Sequence, residues 1–131
     1  MFQLTIKPRF CETDALGHIN HAVLPTWFEE GRIEIFRIFN PSLAVDSWNL
    51  ILKHLEIDFS AQIWQSHPVD IETGIEKIGT TSLIVAQRAI QQQTVCATGR
   101  VVLVHFDYEF QKAAPIPQDI REQLEAHTVG G

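Results

Sequence analysis

Between residues 2 and 10 the apolar side chains fall on alternate positions, Phe2, Leu4, Ile6, Pro8 and Phe10, with polar residues between most of them. A period of two is that of a strand with one buried face, and a proline, which donates nothing to a ladder, suits an edge. From residue 22 to 39 the period becomes helical: Trp27, Phe28, Ile35, Ile38 and Phe39 share helical spacings, with Glu29, Glu30, Arg32, Glu34 and Arg37 interleaved. This predicts one amphipathic helix of about five turns. Asn20 is its expected N-cap, and Pro25 is tolerated only in a first turn, where the missing amide is not needed. The helix therefore begins at the histidines.

From residue 50 the period returns to two. "LEIDFSAQI", "VDIETGIEKI", "TSLIVAQRAI" and "TVCATGRVVLVHF" read as four strands in a meander, "IPQDIREQLEAH" as a short C-terminal helix, and "TVGG" as a fraying end. One strand, one buried helix and four more strands make an α+β pattern in which a single long antiparallel sheet covers a single helix. Strands as long as residues 95–107 and a helix apolar on more than one flank need further cover, which association through sheet edges would supply.

Composition narrows the partners. A chain of 131 residues with 45% apolar and 20% charged positions is one domain, residues 1–131, with enough apolar surface for a core. Ten basic residues against sixteen acidic ones give a net charge of −6, and no basic run tracks a phosphate backbone or an anionic membrane. Nucleic acid and membrane are therefore not expected as partners. The opening residues lack the apolar stretch of a secretory signal and no segment is long enough to span a bilayer, so the expected location is cytoplasmic. Cys11 and Cys96 have no metal-finger spacing and read as small packed residues.

The chemistry is concentrated in "ETDALGHINHAVLPTWFEE", residues 12–30. Asp14 precedes the helix by a few residues, so its carboxylate can lie near unpaired amides around His21 and Ala22, while Gly17 permits close approach of backbone and ligand. A carbonyl held there would be polarised from one side and attacked from the other, as acyl transfer requires. Asp14 could attack directly or activate a water; equally, taken alone, it could begin a turn or cap the helix. His18 and His21 beside Asp14 form only a weak metal signature, and no metal or other cofactor is expected. Asn20 fixes the loop as a cap. Glu30 is either a solvated helix residue or one that faces a partner subunit's pocket. Thr80, Thr81 and Ser82, in the turn "IGTTS", together with Lys77, Arg88 and Arg100, could meet phosphates or amides of a ligand, or form an ordinary solvated strand end.

The run "ETDALGHINHAVLPTWFEEGR", followed by "LEIDFSAQIWQSHPVDIETGIEKIGTTSLIV" and "CATGRVVLVHFD", resembles the hotdog-fold acyl-CoA thioesterases of the 4-hydroxybenzoyl-CoA thioesterase type over nearly the whole chain. Its specific part is Asp14, Gly17 and the His18-Ile19-Asn20-His21 turn leading into the Glu29-Glu30-Gly31-Arg32 helix, with "IGTTSL" as a second match. The resemblance implies a hotdog fold, a sheet wrapped around a central helix, and hydrolysis of an acyl-CoA to free CoA and a carboxylic acid at sites shared between subunits of a homodimer or homotetramer. It implies Asp14 as the catalytic carboxylate, the helix start at His21 as the electrophilic element and a positioning role for His18. Gly17, Asn20, Ala22, Glu30, Thr80, Thr81 and Ser82 would contact substrate. Members often carry tyrosine where this chain has Leu24. The alternatives from other classes are a hotdog hydratase or dehydratase and a non-catalytic acyl-CoA-binding module; spacings of four and seven residues from Asp14 to His18 and His21 favour hydrolysis over a hydrating dyad.

Overall fold

The computed structural model describes residues 1–128. The alternating segments form strands β1 (Phe2–Ile6), β2 (Leu50–Phe59), β3 (Val69–Ile78), β4 (Ser82–Gln91) and β5 (Thr94–Asp107), and a two-residue β6 (Lys112–Ala113) pairs with β5. The sheet is antiparallel in the order β1-β3-β4-β5-β2. The helical pattern gives α1 (Leu24–Gly31) and α2 (Ile33–Phe39), and the C-terminal one gives α3 (Gln118–Glu125). The result is mixed α and β structure, a curled antiparallel sheet with few helices.

Three expectations are corrected here. The four later strands are not a simple meander: β3, β4 and β5 follow one another, but β2 lies beyond β5 at the opposite edge from β1. Residues 60–68 make that crossing, which no tight turn could, since β5 and β4 lie between β2 and β3; on the way Ile63 O accepts from Ile19 N at 2.8 Å and Trp64 bridges to His18. The first strand ends at Ile6, so β1 is an edge strand but Pro8 lies past it. Thr128, read as part of a fraying tail, pairs with Ile75; Val129–Gly131, the rest of that expectation, lie outside the described residues.

The single five-turn helix is also interrupted, at Arg32, whose backbone (φ −91°, ψ 1°) leaves the helical region. The cause is a side chain inserted into the hydrogen-bond ladder. Gln87, buried on β4, donates from Nε2 to Phe28 O at 2.8 Å, the carbonyl that the Arg32 amide would take in a continuous helix; Arg32 N bonds to Glu29 O at 3.0 Å instead. Gly31 allows the contact, since a Cβ there would stand 2.7 Å from Ile71 Cγ2 and 3.0 Å from Gln87 Nε2. The interruption divides the core. Leu24, Trp27 and Phe28 of α1 cluster with Ile63, Val69, Ile71 and Ala97, whereas Ile35 and Phe39 of α2 cluster with Ile75, Leu83, Val101, Leu103 and Leu124. Of the two cysteines, Cys96 is packed as expected and Cys11 is exposed.

Candidate active site

The polar loop is anchored before it reaches Asp14. Residues Phe10–Glu12 form a 3-10 turn that buries the Glu12 carboxylate, which accepts hydrogen bonds from Arg9 N at 2.8 Å and from the Trp27 indole at 2.9 Å. Burial raises the pKa of Glu12, but the bonds from the Arg9 amide, the Trp27 indole and the Arg9 guanidinium together hold it below the ordinary carboxylate value. Glu12 thus ties the loop to α1, and its carbonyl receives the Asn20 amide at 2.8 Å.

Between these ties the chain doubles back through a Thr13–Ile19 bridge, with Asp14 N donating to His18 O at 2.7 Å. Gly17 makes the bend at φ +83°, a conformation that L side chains rarely adopt. No protein atom lies within 4 Å of where its Cβ would be, so within the chain the glycine is required by the turn. Asp14 Oδ1 accepts from Leu16 N at 2.8 Å and from His18 N at 3.1 Å. Oδ2 is left with His18 Nδ1, at 3.9 Å, and the side chain keeps 36% of its surface exposed.

Asp14 and His21 both line a cleft of about 620 Å³ whose other walls include Leu24, Phe59 and Ile63. His21 sets its ring edge-on to Phe59, centroids 6.3 Å apart. His18 turns the other way, against Trp64 at 4.3 Å, so its ring supports the loop rather than the cleft wall. Asn20 caps as expected, through Oδ1 to Ala22 N at 3.0 Å. That bond corrects one expectation: the Ala22 amide is occupied by the cap, and Val23 N bonds to Asn20 O, which leaves the His21 amide as the one at this helix start that the cap does not use.

The remaining candidates are elsewhere in the chain. Glu30 is exposed and borders a different cleft. Thr80, Thr81 and Ser82 turn from β3 to β4 at the far end of the sheet: Phe59 pairs with Ala97 and Ser82 with Val104, which separates them by about 23 Å along β5. The carbonyls of the two threonines are already engaged, Thr81 O taking His105 N of β5 and Thr80 O taking Ile116 N of the segment before α3. Arg88 and Arg100 are each paired, with Glu72 and Glu76, and Lys77 is exposed beside a β-bulge. Among the described residues no three His, Cys, Asp or Glu side chains are grouped as ligands of a metal ion, and no helix is long and apolar enough to cross a membrane.

Two polar residues that sequence reasoning passed over shape the site. Glu12 left no periodic signal. Gln87 did, as a polar residue in phase with the core positions Leu83, Val85 and Ala89 of β4.

Known proteins share this fold. The family model of the Thioesterase-like superfamily matches residues 8–124. The chain is 42% identical to a predicted thioesterase from Bacillus stearothermophilus of known structure, with a TM-score of 0.95 and coverage of 97% of this chain and 96% of that one. A thioesterase from Thermus thermophilus, solved in complex with coenzyme A and Zn, is 26% identical with a TM-score of 0.86, over 95% of this chain and 92% of that one. The acyl-CoA thioester hydrolase YbgC of Escherichia coli O6:H1 is 23% identical over 124 residues, 92% of each chain. The family model spans most of the chain, and the chain belongs to the Thioesterase-like superfamily.

Proposed function

We propose that this chain is an acyl-CoA thioesterase of the 4-hydroxybenzoyl-CoA thioesterase type, a hotdog fold with its sheet wrapped around the α1–α2 helix. The observation that carries the reading is the Asp14 carboxylate, held through Oδ1 by two backbone amides that leave Oδ2 unused, on a residue that lines the same cleft as His21. The hydrolase name of one relative and the coenzyme A bound to another support acyl-CoA as the substrate class.

With the thioester carbonyl in the cleft, the His21 amide would donate to the oxygen as it gains negative charge. Oδ2 then acts in one of two ways. It attacks the carbonyl carbon, the C–S bond breaks, CoA leaves as the thiolate and takes a proton from solvent, and water hydrolyses the resulting mixed anhydride. Alternatively it takes the proton of a water that attacks the same carbon and passes it to the departing sulfur. Asn20 and Gly17 hold the turn, and His18 positions it through Trp64. Glu30 and residues 80–82, remote from Asp14 within one protomer, would complete the site from the partner subunit of a homodimer or tetramer.

Thiol release over a panel of short, long and aromatic acyl-CoAs, without added metal or nucleotide, should yield free CoA and the carboxylic acid in equal amounts. Activity that a chelator abolishes and zinc restores would replace this mechanism by a metal-assisted one. Tight acyl-CoA binding without turnover would leave a binding module.

A further inference from the structure

The crossing from β2 to β3 has a buried anchor on another strand. Of the three glutamines at residues 91–93, Gln92 and Gln93 are exposed and turn β4 into β5 at positive φ, 50° and 66°. Gln91, in phase with the core positions of β4, is only 4% exposed. Its amide reaches residues 60–68: Oε1 accepts from Trp64 N at 2.8 Å, and Nε2 donates to Trp64 O at 2.7 Å and to His67 O at 2.9 Å. One acceptor and two donated protons are used together, a set that a glutamine amide supplies and neither glutamate nor methionine does.

This anchor holds the far side of the Asp14 turn. Trp64 bridges to His18, its ring meets the His18 ring edge-on at 4.3 Å, and the neighbouring Ile63 O takes Ile19 N at 2.8 Å. His18 in turn grips Asp14 through its main chain, its carbonyl taking Asp14 N at 2.7 Å and its amide donating to Asp14 Oδ1 at 3.1 Å. Trp64 is 47% exposed, so core packing does not fix it; the Gln91 amide does, through the main chain.

We propose that Gln91 is a positioning residue for thioester hydrolysis: it fixes Trp64, Trp64 fixes His18, and His18 aims the Asp14 carboxylate. This role rests on the thioesterase reading. Gln91 itself does not line the Asp14 cleft, so its loss displaces the reacting group without deleting a contact to substrate. A displacement of about 1 Å at a reacting group can cost about a hundredfold in rate.

The test combines steady-state kinetics, on an acyl-CoA that the wild-type chain hydrolyses, with amide hydrogen exchange. Gln91→Met should lower kcat about tenfold or more with KM within about twofold, at temperatures well below the melting transition of the variant. Exchange should quicken in residues 14–19 as well as 60–68, and stay as in the parent elsewhere in β4 and β5. Trp64→Leu, at an exposed ring the fold can lose, should act in the same direction and less strongly. The two changes together should cost no more than Gln91→Met alone, because they interrupt one path. Faster exchange confined to residues 60–68 with parental kcat would make Gln91 merely structural and overturn the proposal, as would losses that multiply in full. If Gln91→Met does not fold, Trp64→Leu decides: unchanged kcat and unchanged exchange in residues 14–19 would overturn the relay. A wild-type chain that hydrolyses no acyl-CoA would remove the thioesterase reading instead, and exchange in residues 14–19 would still report whether Gln91 holds the turn.

Discussion

Replacing Asp14 by asparagine keeps the Oδ1 acceptor that Leu16 and His18 amides need and removes the charge presented by Oδ2. Asp14→Asn should therefore lower kcat by about a hundredfold or more while KM and melting temperature change little; turnover near wild type would remove Asp14 from the chemistry. His18→Ala should cost less activity, because its ring supports the loop against Trp64. Glu12 governs stability instead. Glu12→Ala strands the Trp27 indole in a buried site and should cost about 1–3 kcal/mol in urea unfolding. With the folded-state pKa below the ordinary 4.5, the stabilisation from ionised Glu12 is full above that value and is lost as pH falls through the folded one. The wild-type stability should accordingly converge on that of the variant in acid, which unfolding curves at neutral and acid pH check. Asp14 was legible in the sequence because acid, glycine and cap are crowded into one short segment. Glu12 was not, since its role depends on an indole fifteen positions away that only the fold brings near.

The α1–α2 interruption shows how a helix can be broken from outside. Gln87→Leu would release Phe28 O and deprive Arg32 and Thr73 of their partner inside the core. The expected cost is about 2–4 kcal/mol in equilibrium unfolding, large for one substitution, because several buried polar groups lose a bond at once. A variant as stable as the parent would show that the interruption has another cause. Periodicity alone predicted an unbroken helix, since residues 22–39 keep a helical spacing through Arg32 and the breaking group belongs to a strand far along the chain. The N-terminal cap was legible because Asn20 acts on its immediate neighbours.

At the scale of the molecule, strands and their faces followed from alternation, whereas the placement of β2 beyond β5 did not, because strand order depends on which long-range pairings win. That placement leaves β2 at an edge with Leu52 and Phe59 exposed. Light scattering at micromolar concentration should return at least two chain masses, with a melting temperature that rises with protein concentration; a persistent monomer would oppose a shared site. The Thr73–Gln87–Arg32 contact has a further consequence, since it lies between the two apolar clusters. Apolar surfaces are nearly indifferent to small axial displacements, but a helix advanced by one residue moves about 1.5 Å and rotates about 100°, which would break each of these bonds. Oil alone would let α1 slide; this polar stratum indexes it to a single notch on the sheet. The alignment of the Asp14 turn with Phe59 across the cleft is thus kept by a lock at the other end of α1, away from the Asp14 cleft.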